Sequence, residues 1–317
     1  MTISYPTRAD LLAARNRIQP YIHNTPVLTS ETLNRITGLN LFFKCENFQK
    51  AGAFKFRGAT NALLSLSPTE AQAGVATHSS GNHAQALALA AAQRGIPAYI
   101  VMPENAPQVK VAAVKAYGGQ ITFCPPTLRA REQTLRAVIA KTKATEIHPY
   151  NNHTIICGQS TAAQELLETI PGLDWIIAPV GGGGLLSGTA LACHYFAPET
   201  RVIGAEPLGA DDAWQSFVNK TLIPSVNPKT IADGLLTSLG TLTYPIILDH
   251  VHTIIRADEP QIINAMRYLW ERMKIIVEPS AAVPLAALLE QPPSGSGKKI
   301  GLILSGGNVD LNKLPWQ

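Results

Sequence analysis

The chain is poor in the features that mark several protein classes. Its 317 residues include only four cysteines, Cys45, Cys124, Cys157 and Cys193, far apart and without a C-x-x-C pair. Disulfides and thiolate metal sites are therefore not expected, and free buried thiols in a reducing compartment are. No apolar run approaches the roughly 20 residues needed to span a bilayer. The N-terminal MTISYPTRADLLAARNRI lacks the basic start and apolar core of a signal peptide, so a cytoplasmic protein is expected. Charged residues make up 15% and the formal net charge is +4, with lysine and arginine scattered. That balance argues against nucleic acid and membrane partners and leaves room for a small anionic ligand.

What is present is an alternation. Thr7-x-x-Asp10 has the form of a helix N-terminal cap, followed by a stripe of Leu11, Ala14, Ile18 and Ile22. From about residue 74, short β-rich runs (GVATHSS, AYIVMP, QITFC, DWIIAPV, RVIGAEP, HTIIRA, KKIGLILS) mostly enclose helical ones such as NHAQALALAAAQRG and GLLSGTALACHYF. Such a pattern predicts α/β architecture with mostly parallel sheets covered by helices. Ligands then bind beyond the C-terminal ends of strands, so the loops that follow strands are the informative ones. PLGADDAWQSFVNKTLIPSVNPKTIADG breaks the alternation as a partly irregular excursion, and QPPSGSGKK reads as an exposed loop.

Four segments suggest one site. In DWIIAPVGGGGLLSGTA a strand runs into Gly181, Gly182, Gly183 and Gly184 and then a helix. Bare backbone amides at a helix start suit a single phosphate. The run matches neither the P-loop nor G-x-G-x-x-G, and its bland alternative is a flexible turn. THSSGNHAQA offers Ser79, Ser80, Gly81, Asn82 and His83 at another strand-to-helix turn, where a side chain could equally serve as a simple cap. LILSGGNVD ends a strand at Ser305.

The fourth segment, KCENFQKAGAFKFRGA, holds three lysines. Lys44 and Lys50 have polar neighbours and read as solvated. Lys55 stands between Phe54 and Phe56, and alone it would ordinarily be a snorkelling side chain. An apolar or cationic setting from Phe54, Phe56 and Arg57 would instead lower its pKa and make it nucleophilic toward carbonyls. A reactive lysine, a one-phosphate cradle, a hydroxyl-rich turn and a serine at a strand end together are the parts that hold pyridoxal 5′-phosphate (PLP).

AGAFKFRGA, SSGNHAQA, PVGGGGLLSG, GAEPLGADD, KTIADGL, WERMK, VEPSAAVPLAAL and LSGGNVDL, in this order, resemble the serine racemase and serine/threonine dehydratase family of fold-type II (tryptophan synthase β-like) PLP enzymes. The resemblance runs from about residue 10 to 311 and includes the threo-3-hydroxyaspartate dehydratases. It implies a large PLP-binding domain from residues 1–73 and 149–317, a small inserted domain at 74–148, and a homodimer. Lys55 would form the Schiff base and act as base on one face of the substrate α-carbon, with Ser80 the base on the other. Phe54 would pack near the cofactor, Asn82 bond its ring hydroxyl, Gly181 to Gly184 hold its phosphate and Ser305 its pyridine nitrogen. Ser79, Ser80, Asn82 and His83 would receive the substrate carboxylate. Glu206, Ala210 and Asp212 would bind Mg²⁺ or Mn²⁺.

The implied activity is serine racemisation together with release of a 2-oxo acid and ammonia from a 3-hydroxy amino acid. Arg131 aligns with a family arginine on the small-domain side, and His148, Asn151 and Asn152 could line the cleft. A second cationic contact would favour 3-hydroxyaspartate, whereas a bland Arg131 is a solvated helix residue. His250 and His252 lack an evident third metal ligand and read as surface residues. Departures from the family are also present. Gly158-Gln159-Ser160-Thr161 stands for the usual G-Q-G-T, which leaves its backbone turn in question but not the chemistry. Ala51 and Val111 replace the Thr and Lys near the nucleotide site of animal serine racemases, so ATP activation is not expected. The chain ends six residues after the last motif, so no C-terminal regulatory domain is expected. A cysteine-synthase-like enzyme would carry Thr-Ser-Gly-Asn-Thr at residues 79–83. A non-catalytic phosphate-ligand binder is the rival from another class.

Overall fold

The computed structural model describes residues 4–317. Its strands are β1 (Val27–Leu28), β2 (Asn40–Cys45), β3 (Val75–His78), β4 (Ala98–Pro103), β5 (Gln120–Cys124), β6 (Thr145–Glu146), β7 (Trp175–Pro179), β8 (Arg201–Pro207), β9 (Thr253–Ala257) and β10 (Lys299–Leu304). They form one six-stranded sheet, ordered β1-β2-β10-β7-β8-β9, and one four-stranded sheet, ordered β5-β4-β3-β6. Only β1 against β2 is antiparallel. The seven β-rich runs of the alternation are all strands.

The central strands of the large sheet are apolar because helices cover both faces. Successive side chains alternate between two cores. Ile177 and Leu302 face the layer of helices Glu259–Met273 and Pro279–Glu290. Ile176 and Ile303 face the layer of His153–Thr169 and Gly184–Phe196. The four-stranded sheet comes wholly from residues 75–146, and the large sheet from the segments on either side. Helix Lys55–Leu64 packs through Phe56 and Leu63 into the same apolar cluster as Leu87 and Val114 of the smaller unit.

Three elements depart from expectation. Strand NLFFKC was hidden by its lysine. Far from being solvated, Lys44 is fully buried. Its ammonium donates to Glu165 Oε2 at 2.6 Å and to the Thr25 carbonyl at 2.7 Å. Arg57, equally buried, donates to Glu46 and Glu165 at 2.7 Å each. Two buried cations persist because two carboxylates match them; a lone one would be expelled. Second, residues 158–161 lie inside helix His153–Thr169, so no turn exists there. A Cβ on Gly158 would fall 2.6 Å from the Gly58 Cα, so glycine is what lets these two helices touch. Third, the excursion after β8 contains helix Asp212–Asn219 before its irregular run.

Candidate active site

Lys55 opens its helix directly behind the end of β10. Phe54 N donates to the Ser305 carbonyl at 3.0 Å, and Ala53 bridges Gly306. The lysine ammonium donates to the Pro149 carbonyl at 2.9 Å and lies 5.1 Å from the centre of the Phe54 ring. Burial pulls its pKa down to about 8, partly opposed by Glu278. The cationic help expected from Arg57 is not used: its guanidinium is spent on Glu46 and Glu165. Alternate residues along a helix start point to different sides, which is why Lys55 and Arg57 serve different regions.

The residue after Pro149 leads to the glycine loop. Tyr150 packs so closely on it that a Cβ at Gly182 would sit 2.3 Å from the ring, and one at Gly184 2.9 Å from the Tyr150 Cβ. A Cβ at Gly181 would meet Leu235, and one at Gly183, where φ is +86°, would meet Thr243. Thr243 Oγ1 also donates to the Gly182 carbonyl at 2.8 Å. All four glycines are buried, so the run is a packed cradle and not a flexible turn. The helix it starts has no side-chain cap, leaving first-turn amides for an anion.

Helix Asn82–Arg94 likewise starts at Gly81 without a side-chain cap. The Ser or Asn cap considered for this turn is not formed. Asn82 instead donates to Glu278 Oε1 at 2.7 Å and accepts from Asn308 at 3.0 Å. Ser79 and Ser80 are half-buried in the turn before it. Ser305 is buried at the end of β10, next to Gly306, where a Cβ would stand 2.7 Å from the Glu278 carboxylate. Glu278 was read only as part of a motif. A lone acid inside IIVEPSAAVPLAALL was the available signal. Its burial pushes the carboxyl up to about 7.

Two imidazoles, His83 and His148, lie near the lysine, and an arginine lies near a third, His78. His83 is buried and bonds the Ile147 carbonyl through Nε2 at 3.1 Å; burial and Lys55 drive its pKa down to about 3. Its Nε2 is thus committed, while its Nδ1 is buried without a hydrogen-bond partner. His148 Nδ1 accepts from the amides of Tyr150 and Asn151, at 3.3 and 2.9 Å, and burial holds its pKa near about 4. Arg131 is half-buried with an unpartnered, buried Nε, and it lowers the pKa of His78 after burial does. It is not the solvated helix residue of the bland reading. Asn151 and Asn152 have structural partners: Asn151 holds Thr241 and Leu242, and Asn152 caps helix His153–Thr169.

At the end of β8, Glu206 accepts from the amides of Ala213 and Trp214 at 2.9 and 2.7 Å. Neither buried oxygen of Asp212 has a well-formed hydrogen bond. Burial raises the two carboxyls to about 9 and about 6. Ala210 is buried in the same loop. Among the described residues no group of three or more His, Cys, Asp or Glu side chains is set to hold a metal, so the loop offers two carboxylates and backbone carbonyls.

A beta-hydroxyaspartate dehydratase of Paracoccus denitrificans (strain Pd 1222) is 53% identical over 311 residues, covering 98% of this chain and 99% of the relative. A serine racemase of Arabidopsis thaliana is 52% identical over 314 residues, 96% of this chain and 95% of its own. The solved serine racemase of Dictyostelium discoideum superposes with a TM-score of 0.92 at 50% identity, covering 96% of this chain and 99% of that one. The fold is that of the fold-type II PLP enzymes. Residues 18–306 match the family described as pyridoxal-phosphate dependent enzyme, and this chain belongs to that family.

Proposed function

We propose that this protein is a PLP-dependent ammonia-lyase and racemase acting on 3-hydroxy amino acids. The observation that carries the reading is the Lys55 amine held on the Pro149 carbonyl, one residue from the Tyr150 ring that packs into the glycine cradle. That contact supports a poised amine and a phosphate site sharing one cleft. The residues fit the cofactor: uncapped amides for its phosphate, buried Ser305 for its ring nitrogen, Asn82 for its ring hydroxyl and Phe54 beside it. When bound, PLP supplies an aldehyde for an amine and a ring that spreads negative charge from the substrate α-carbon.

The chain's own part is then positioning and proton transfer. Lys55, with its lowered pKa, takes the α-proton on one face, and Ser80 serves the opposite face when the centre is inverted. Ser79, Ser80, Asn82 and the His83 backbone hold the substrate carboxylate at a helix N-terminus. The smaller sheet unit, residues 74–148 as a domain, covers the cleft and keeps water out. Glu206, Asp212 and the Ala210 carbonyl would hold Mg²⁺ or Mn²⁺; the unbonded, buried oxygens of Asp212 suit a hard cation, and the amides of Ala213 and Trp214 fix the Glu206 carboxylate beside them. A cytoplasmic homodimer completes the reading. Four buried free thiols fit a reducing compartment, and exposed Phe48 and Ile276 offer apolar surface to a second copy.

Arg131 favours 3-hydroxyaspartate among the substrates. Its half-buried side chain lies near the His78 imidazole and has a buried, unpartnered Nε donor, which a second substrate carboxylate would satisfy. The test is PLP uptake by the purified protein and by K55A. Release of 2-oxo acid and stereoinversion are then measured on serine, threonine and 3-hydroxyaspartate, with and without chelator. A colourless protein that takes up no PLP would sink the proposal, and equal turnover of all three substrates by R131M and the parent would sink the dicarboxylate preference.

A further inference from the structure

Among the described residues, one ion pair joins segment 74–148 to the rest of the chain, that of Lys110 with Asp233. Local forces do not explain it. Lys110 lies in the first turn of helix Gln108–Ala116, the end of a helix that repels a cation. Its long side chain is 7% exposed, so it has given up both rotamer freedom and hydration. Asp233 offsets these costs from across the cleft.

Asp233 begins a short turn, Asp233–Leu235, that backs the phosphate cradle. The Leu235 Cα and the Gly234 carbonyl would lie 3.0 and 3.2 Å from a Cβ on Gly181, and Gly234 N donates to Ser280 Oγ at 3.0 Å. Lys110 and Asp233 both act on Glu278, the partner of Asn82. The other side-chain links across this mouth are the uncharged donors of Asn82 and Asn308. At the far end of helix Asn82–Arg94, Arg94 donates to the carbonyls of Leu63 and Leu66, which ties that edge of the smaller unit. The Asp233 side chain is 44% exposed, so water and salt can reach the pair and it can open.

We infer that Lys110 is a positioning residue whose ion pair with Asp233 latches the smaller unit against the back of the cradle and sets how firmly substrate is enclosed. The inference rests on the proposed hydroxy-amino-acid reaction. Enclosure acts on bound substrate and transition state alike, so it governs KM more than kcat.

The test is a double-mutant cycle of K110M, D233N and K110M/D233N. It reads KM and kcat on the best hydroxy-amino-acid substrate, together with amide exchange over residues 108–116 and 233–235 in the protein as purified. Each single variant is expected to raise KM about tenfold with kcat within about twofold. The double variant should be no worse than either single, because the pair acts as a unit. KM of the parent should rise as salt is raised from about 0.05 to about 0.5 M, and that of K110M should not. Exchange should quicken in both segments in every variant. Unchanged KM, or additive effects in the double variant, would overturn the latch. If the parent turns over no hydroxy amino acid, the functional reading falls and exchange decides alone: faster exchange in both segments supports the latch, and unchanged exchange overturns it.

Discussion

Asn82 donates to Glu278 at 2.7 Å, so the residue that opens helix Asn82–Arg94 meets the residue that precedes helix Pro279–Glu290. A side chain from the smaller unit thereby rests on a buried acid at the start of a helix that covers the large sheet. Burial pushes that acid up to about 7 from its ordinary 4.5. Between those values the folded chain holds a proton that the unfolded chain has released, so stability falls as pH rises through the window. E278Q keeps an acceptor for Asn82 and should abolish this slope. Above it, the PLP-free variant should gain on the order of 1–3 kcal/mol. Melting curves from acid to mildly alkaline pH check it, and a slope identical to the parent's would show that Glu278 does not titrate there.

Lys55 has the opposite sign in a different window. Its pKa falls from 10.5 to about 8 through burial. Between those values the unfolded chain binds a proton that the folded chain lacks, so stability rises with pH there. The same shift exposes free amine early. In the PLP-free protein, acetylation of Lys55 should reach half its limiting rate near pH 8, where surface lysines, with pKa about 10.4, react slowly. Mass spectrometry of the peptide that carries Lys55 measures it, and a profile matching the surface lysines would refute the shift.

Two glycines at helix starts should respond differently to a methyl group. G182A drives a Cβ into the Tyr150 ring at 2.3 Å, whereas Gly81 has nothing within 4 Å of such a Cβ and a negative φ. G182A should lose about 1–3 kcal/mol in urea melts from overpacking, and G81A less than about 1 kcal/mol. Adding Y150A should relieve part of the G182A loss. Equal costs for the two alanines would contradict the packed cradle.

Glu165 balances two buried cations, Lys44 and Arg57. E165Q strands part of that charge and should destabilise by about 3–5 kcal/mol. R57M should do similar damage by leaving Glu46 unmatched and Glu165 with Lys44 alone. Urea melts at fixed pH measure both, and a loss no larger than for a surface substitution would show that water reaches the network.

Much of the site was legible because its chemistry follows strands. The glycine run, SSGNH and Ser305 each stand at the C-terminal end of an apolar run, and the parallel sheets carry their ends to one cleft. Lys55 was legible from its apolar neighbours. Glu278 and Tyr150 were not, because each has ordinary neighbours and acquires its role from contacts distant along the chain: Glu278 from Asn82, 196 residues before it, and Tyr150 from the glycine run that begins past helix His153–Thr169 and strand β7. Lys44 was misread for the same reason. Polar sequence neighbours say nothing about a strand whose partners are helix His153–Thr169 and the Thr25 segment.

The sequence by itself determined the α/β alternation, the strand-end loops and the lysine, since hydrophobic period and glycine content act over a few residues. Only the tertiary structure decided which charges are buried together, that the four glycines are pinned by Tyr150, Leu235 and Thr243, and that Lys110 reaches Asp233. Desolvation and steric exclusion depend on everything that packs around an atom, and most of what packs there is distant along the chain.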